Sequence, residues 1–235
     1  MLVIAVSGVT CVGKSSLARR LASALKGKSY EVEYVDERRL QVPYVRQMFR
    51  QPIQYAYWVE CYFAVARANI LVDYSLRLKD GILLMERSLT EDMIHEKFWR
   101  EELGAVSADQ HRAYLEFMSV ANSLRLDPNF YIYLRCPVEE SLIRLNRRES
   151  MQPEGPEVPI PFRPRYVSGM ARLYEEWFTT VPEERILAVD SMTLADETLS
   201  EEKLRSITEW TVQQISVAQS EASGLDKSDS RKGSC

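Results

Sequence analysis

Eight consecutive residues, Gly8-Val9-Thr10-Cys11-Val12-Gly13-Lys14-Ser15, match the spacing G-x-x-x-x-G-K-[ST], and the chemistry of that spacing is the holding of nucleotide phosphates. Two glycines let the backbone curl until its N–H groups point inward at an anion. Lys14 adds a mobile positive charge, and the Ser15 hydroxyl is a ligand for Mg²⁺. A second set of residues carries charge just after apolar runs: Asp36-Glu37-Arg38-Arg39, Glu86-Arg87-Ser88, Arg135 with Arg144, Arg147 and Arg148 beyond it, and Asp190. Phosphoryl transfer needs a base near the acceptor hydroxyl, a metal held by carboxylate and hydroxyl, and cations on the transferring group. This chain holds each type.

These residues need a scaffold, and the pattern of apolar residues supplies one. Leu2 to Val6 reads as a buried strand, and Lys14 to Leu25 as a helix with Leu17, Leu21, Ala24 and Leu25 on one face. Strand, glycine turn and helix N-terminus are the order that a phosphate site requires. Strands are predicted at Tyr30–Val35, Gly81–Met85, Phe130–Leu134 and Ile186–Val189. Helices are predicted at Tyr55–Leu78, Thr90–Leu103, from a Ser107-x-x-Gln110 capping box to about Leu124, from strand four through Arg148, at Tyr166–Thr179, and from Glu201 to about Val217. Met151 to Pro164 holds five prolines and reads as loop. Alternation of strand and helix predicts an α/β fold: a five-stranded parallel sheet with helices on both faces, its ligands at the carboxyl ends of the strands. All the charged strand ends are then expected to converge beside the phosphate loop.

Composition narrows the function classes. At 235 residues the chain is expected to form one domain over 1–219, with a polar, unstructured tail from Ser220 to Cys235. A net charge of −4 predicts no broad nucleic-acid footprint, and no apolar run reaches membrane-spanning length. The first strand begins almost at Met1, which is read as leaving no room for a leader. Cys11, Cys61, Cys136 and Cys235 have no metal or redox spacing, so they read as reduced thiols of a cytoplasmic protein. His95 and His111 read as helix-surface residues rather than zinc ligands.

Several segments together carry a family likeness. Glu86-Arg87-Ser88, Tyr133-Leu134-Arg135 followed by Arg144 and Arg148, Met48-Phe49-Arg50-Gln51-Pro52 with Tyr55-Ala56, and Leu173-Tyr174-x-x-Trp177 resemble motifs of the deoxynucleoside kinases. The resemblance runs from Met1 to about Asp190. It implies a P-loop kinase fold with an arginine-bearing lid at about 144–165, ATP or another nucleoside triphosphate as donor, Mg²⁺, a deoxynucleoside acceptor and a homodimer. It implies roles by position. Lys14 contacts the β- and γ-phosphates, and the backbone from Val9 to Ser16 cradles them. Ser15 and Glu86 hold Mg²⁺. Glu37, chosen over Asp36, is the base for the 5′-hydroxyl, Arg87 lies between base and phosphate, and Arg144 and Arg148 clamp the phosphoryl group. Tyr44 and Phe49 join the substrate contacts, and Gln54 is the alternative reader of the base, whose amide both donates and accepts and would raise adenine or cytosine.

For the base, the resemblance places Glu60 where the family has a glutamine, with Arg67 and Asp92 as a buried pair beside it. An ionised Glu60 only accepts hydrogen bonds, and Arg67 only donates. That set suits guanine first, then adenine, cytosine and last thymine. The sequence departs from the family pattern at Asp36-Glu37-Arg38, at Ser150, and at Gln152 and Pro153, which leaves Glu149 or Glu154 for the sugar contact. Two alternatives compete. Phe63-Ala64-Val65-Ala66-Arg67 also matches the F-A-x-x-R motif of nucleoside monophosphate kinases resembling thymidylate kinase. A P-loop switch is the alternative of another class, but no N-K-x-D is present.

Overall fold

The β-branched and aromatic runs do form strands: β1 (Leu2–Ser7), β2 (Val32–Val35), β3 (Ile82–Glu86), β4 (Phe130–Arg135) and β5 (Ile186–Asp190). They pair in parallel in the order β2-β3-β1-β4-β5. The computed structural model describes residues 1–124, 127–153, 155–194 and 201–229. Nearly every residue of β1, β3 and β4 is buried. Strands buried on both faces need helices on both sides.

Those helices are α1 (Lys14–Gly27), α2 (Val45–Arg50), α3 (Pro52–Arg77), α4 (Leu89–Lys97), α5 (Ala108–Ser123), α6 (Val138–Ser150), α7 (Arg163–Phe178) and α8 (Glu201–Asp229). Helix α1 buries Leu17, Leu21 and Leu25, each stabilising by about 1.5–3 kcal/mol, and packs against α8. Helix α3 packs against α4 and α5, and α4 against α7. The chain turns back on itself at β1, with β3 on one side and β4 on the other. The carboxyl end of β1 is therefore the crevice where such sheets bind ligands, and the phosphate loop begins there.

Several boundaries differ from expectation, each for a local reason. Helix α3 starts at Pro52 rather than Tyr55, because proline suits the first helical position. Pro164 likewise sits in the first turn of α7, so the expected loop ends at a short 3₁₀ turn, Ile160–Phe162. The helix expected through Leu103 is α4 followed by a π turn at Phe98–Glu102. Helix α2 was not expected, since six residues leave too short a period to read. Helix α8 continues past Val217 and Ser220 to Asp229, and the end of the expected unstructured tail, 230–235, lies outside the described residues. A polar composition removes the apolar face for packing but leaves the backbone hydrogen-bond ladder free to continue. Cys11, Cys61 and Cys136 are free thiols.

The turn from β1 into α1 has one steric requirement. Gly8 has φ +134°, and a Cβ there would lie 2.6 Å from the Leu134 carbonyl oxygen of β4. Only glycine takes that conformation without strain. Gly8→Ala is expected to cost about 1–3 kcal/mol from backbone strain alone and to abolish nucleotide binding. Thermal unfolding with and without ATP checks this; an unchanged melting temperature with a normal ATP-induced rise contradicts it.

Candidate active site

The phosphate loop, the end of β3 and the first turn after β2 enclose a cleft of about 770 Å³ lined by Lys14, Ser15, Glu37, Glu86, Arg87, Arg144 and Arg148, among others. The loop owes its curl to Gly8 and Gly13, with Cys11 also at positive φ. Val9 and Val12 turn their side chains into the core, and Thr10, Cys11, Gly13 and Ser16 line the cleft. The Lys14 ammonium donates to the carbonyls of Gly8 (2.9 Å) and Val9 (2.7 Å). Burial, then the nearby Arg87, pushes its pKa down to about 8.

Ser15 Oγ donates to Glu86 Oε2 at 2.8 Å, and the Tyr34 hydroxyl donates to Glu86 Oε1. A hydroxyl and a carboxylate beside a phosphate cradle are the hard oxygen donors that Mg²⁺ takes together with substrate phosphates. The residues present fit that ion. Tyr34 is a site residue that sequence reasoning missed; it sits mid-strand, where an aromatic residue reads as core.

Asp36 and Glu37 separate cleanly. Asp36 caps the 3₁₀ turn Glu37–Leu40 and is occupied by Arg38, through its backbone N–H (2.9 Å), Nε (3.2 Å) and Nη2 (2.9 Å). Glu37 points into the cleft, where Oε1 accepts from Arg87 Nη1 at 3.0 Å and Arg67 Nη2 at 3.5 Å. Burial alone would raise the Glu37 carboxyl, but Arg87, Arg67 and Lys14 outweigh it and hold it below the usual carboxylate range. Arg87 adopts a left-handed conformation, φ +61°, at the end of β3. Such strain in a bulky residue persists only where its surroundings fix it.

The expected ion pair of Arg67 and Asp92 is present. Arg67 forks onto Asp92, Nε to Oδ2 at 3.0 Å and Nη2 to Oδ1 at 3.2 Å, and gives Nη1 to the Glu86 carbonyl at 3.0 Å. Both side chains are almost fully buried. Below this network Glu91 accepts from Ser7 Oγ (2.7 Å), the Ser88 backbone N–H (2.7 Å) and the Tyr174 hydroxyl (3.0 Å). One buried carboxylate thus joins the entrance of the phosphate loop, the turn after Arg87, and α7.

Other expectations need correction. Tyr44 is 58% exposed and stacks on Tyr55, because its left-handed backbone turns it outward before α2. Gln54 is exposed on the first turn of α3. Neither lines the cleft. Phe49 packs edge-on against Trp99, Phe162 and Tyr166. Glu60 is buried and accepts the Trp99 indole N–H at 2.7 Å. Burial, then Asp92, lifts its carboxyl to about 8, which favours the neutral acid over the ionised acceptor on which the guanine ranking rested. Arg135 pairs with Glu175, and Asp190 accepts from the Met192 backbone N–H; both lie along a second groove, which borders Val9 of the phosphate loop, rather than in the cleft itself. His95 is buried rather than on the surface, with Nε2 unpartnered, and burial beside Arg87, Lys14 and Arg67 keeps it neutral.

Of the candidates for the sugar contact, Glu149 is fully buried and holds the backbone N–H groups of Glu157 and Val158, while Glu154 lies outside the described residues. Among the described residues of the proline-rich loop, Glu157 is the glutamate that lines the cleft. Nothing in the proline-rich stretch singled it out, because which glutamate faces inward depends on how the loop is tied. Arg144 bonds Glu140 (2.7 Å) and the Ser191 carbonyl (3.3 Å), and Arg148 bonds Glu149 (3.0 Å).

With this geometry in place, similarity to known proteins is informative. The deoxynucleoside kinase family model matches residues 4–213. The chain belongs to the deoxynucleoside kinase family. Among curated relatives, the deoxyadenosine kinase of Dictyostelium discoideum is 25% identical over 62% of this chain and 56% of its own length. The deoxyadenosine/deoxycytidine kinase of Bacillus subtilis is 25% identical over 83% of this chain and 86% of its own length. Deoxyadenosine kinase from M. mycoides with bound dATP superposes with a TM-score of 0.67 at 21% identity, covering 89% of this chain and 98% of that one. With bound dCTP the same enzyme gives 0.65, covering 95% and 100%. The expected five-stranded parallel P-loop kinase fold and the expected phosphotransferase class therefore stand for this deoxynucleoside kinase.

The buried charge network generates a stability test. Arg67→Met leaves Asp92 buried without its partner and is expected to cost about 3–5 kcal/mol. Adding Asp92→Leu, which replaces the pair by apolar groups, is expected to recover most of that loss. Urea unfolding of both variants measures it. Equal stability of Arg67→Met and the parent protein contradicts the pairing.

Proposed function

We propose that this kinase transfers the γ-phosphoryl group of ATP, or of another nucleoside triphosphate, to the 5′-hydroxyl of a deoxyribonucleoside, purine first. The observation that carries this reading is Glu37. It is an ionised carboxylate, backed by Arg87, in the same cleft as the phosphate loop, while its neighbour Asp36 is spent on Arg38. A hydroxyl nucleophile must lose a proton, and a positioned carboxylate takes it. Lys14 leaves the loop carbonyls for the β- and γ-phosphates. Mg²⁺ at Ser15 and Glu86 neutralises phosphate charge when bound. Arg87 faces the charge that develops on transfer, Arg144 and Arg148 close over it as a lid, and Glu157 takes the sugar hydroxyl. Water excluded by that closure cannot intercept the phosphoryl group. Adenine is the purine that both named relatives support.

A monophosphate acceptor fits less well. It is already anionic and needs free arginines, yet Arg67 of the F-A-x-x-R match is committed to Asp92 and Glu37. A regulatory switch has no use for a carboxylate base at the acceptor end of the cleft.

The partner is a second copy of this chain. Trp58, Tyr62, Val65, Val72 and Leu76 are exposed along one side of α3, at spacings of four, three, seven and four that keep them on a face able to seat against a second helix. Free thiols at Cys11, Cys61 and Cys136 suit a reducing cytoplasm. Among the described residues no helix is long and apolar enough to cross a membrane.

A panel of deoxynucleosides and their monophosphates, assayed with ATP and Mg²⁺, tests the reaction. Phosphorylation of monophosphates alone overturns it. Lys14→Ala is expected to abolish turnover with the fold intact, and activity within tenfold of the parent contradicts its role. Glu37→Gln is expected to lower kcat about 10²–10⁴-fold with little change in nucleoside affinity. If Asp36→Asn shows that loss and Glu37→Gln does not, the base is Asp36. Leu76→Glu is expected to convert a dimer to a monomer by light scattering.

A further inference from the structure

Helix α6 buries one stripe, Ser141, Leu145 and Glu149, at helical spacing, and each end of that stripe grips a part of the site. At the near end Ser141 Oγ donates to the Thr10 carbonyl of the phosphate loop at 2.8 Å. At the far end, about 12 Å along the axis, the fully buried Glu149 carboxylate divides its two oxygens. Oε1 accepts from Arg148 Nη2 at 3.0 Å. Oε2 accepts from the backbone N–H of Glu157 at 2.5 Å and that of Val158 at 3.4 Å. Arg163 brings a charge within 4.0 Å of Oε2 and bonds the Val158 carbonyl at 3.0 Å. Arg148 and Glu157 both line the cleft.

An acid is poorly placed there by local energetics. The last turn of a helix is the negative end of its dipole, and burial removes the water that solvates a carboxylate. The donors around Glu149 offset that cost, and they belong to two different tasks. One is an arginine on the phosphate side of the cleft. The others are the backbone of the loop that carries Glu157. That loop has further ties: Arg46 of α2 donates to the Gly155 carbonyl at 2.6 Å and to Gln152 Oε1 at 3.2 Å. Loss of the Glu149 charge therefore redirects Glu157 and Arg148 without releasing the whole loop.

We propose that Glu149 is a positioning residue that links sugar recognition to phosphoryl transfer. Through its two oxygens, the loop that presents Glu157 and the arginine that faces the donor phosphates take their working directions together. The inference rests on the function proposed above, with Glu157 on the 3′-hydroxyl and Arg148 on the transferred group. Its consequence is that the 3′-hydroxyl is felt in kcat as well as in KM. A nucleoside without that hydroxyl leaves Glu157 unengaged, and Arg148 is then aimed less well. An amide cannot hold both partners, because it has one acceptor oxygen. Glu149→Gln keeps either the loop or Arg148 and turns N–H groups toward the other.

The test takes the deoxynucleoside that the parent enzyme phosphorylates fastest and its 2′,3′-dideoxy analogue, each with ATP and Mg²⁺. It measures kcat and KM for the parent, Glu149→Gln, Arg148→Met and the double variant, with thermal unfolding of each. In the parent, loss of the 3′-hydroxyl is expected to raise KM and to lower kcat about tenfold or more, because a slightly misplaced group beside the reaction is costly. In Glu149→Gln, kcat for the deoxynucleoside is expected to fall to about that of the analogue, leaving the 3′-hydroxyl to act on KM alone. Adding Glu149→Gln to Arg148→Met is expected to lower kcat no further. A parent in which the 3′-hydroxyl changes KM alone overturns the link. So does an effect on kcat that survives in a folded Glu149→Gln, or a further loss in the double variant, which marks a carboxylate that only supports the fold. If Glu149→Gln does not fold, Arg148→Met decides: the 3′-hydroxyl effect on kcat is expected to vanish there, and its persistence overturns the proposal. Those results leave nucleoside phosphorylation standing, whereas failure to phosphorylate any nucleoside overturns the proposed function and this inference with it.

Discussion

Everything at this site depends on burying two arginines, which is tolerable only because carboxylates meet them. Arg87 sits in a strained backbone conformation at the end of β3, and Arg67 arrives from the long helix α3. Neither charge is stable away from water alone. Glu37 answers both, and Asp92 answers Arg67. The turn after β2, the end of β3, α3 and the start of α4 are therefore fixed relative to one another by electrostatics as much as by packing. The cleft is what remains open between that network and the phosphate loop.

The same arrangement explains the division of labour among acidic residues that look alike in sequence. Asp36 and Glu37 are neighbours on the cleft wall, yet one caps a turn and is held by an exposed arginine while the other is held by the buried Arg87 and Arg67. Glu60, Glu91 and Glu149 are all buried, and each meets its cost differently. Glu149 meets Arg148 and two backbone N–H groups, Glu91 two hydroxyls and an N–H, and Glu60 is the one left beside a neutral indole.

Much of this was legible in the residues themselves. The phosphate loop is a local motif whose geometry follows from two glycines, and the five strands are short apolar runs that nothing else would bury. Arg67 and Asp92 were readable through the family resemblance, which sets an arginine and an aspartate at those two positions. What failed depended on context that one chain position does not carry. Tyr44 and Gln54 share the composition of binding residues, but a left-handed turn and the outward side of α3 take them away from the cleft. Glu157 was invisible because its direction is set by Glu149, eight residues earlier, tying the loop backbone. The charge state of Glu60 could not be read from its type, since it depends on how many arginines remain after the other carboxylates are paired.

Glu91 has a wider consequence. It binds Ser7 where the phosphate loop begins, the Ser88 amide just after Arg87, and Tyr174 in α7. Three segments far apart in the chain share one anchor, so they cannot open one at a time without stranding a buried carboxylate. Segments bound in this way unfold as a single cooperative unit. A chain cut short before α7 loses more than a helix: it loses the support beneath its own nucleotide site, and synthesis must pass Tyr174 before the phosphate loop near the amino terminus is held in working shape.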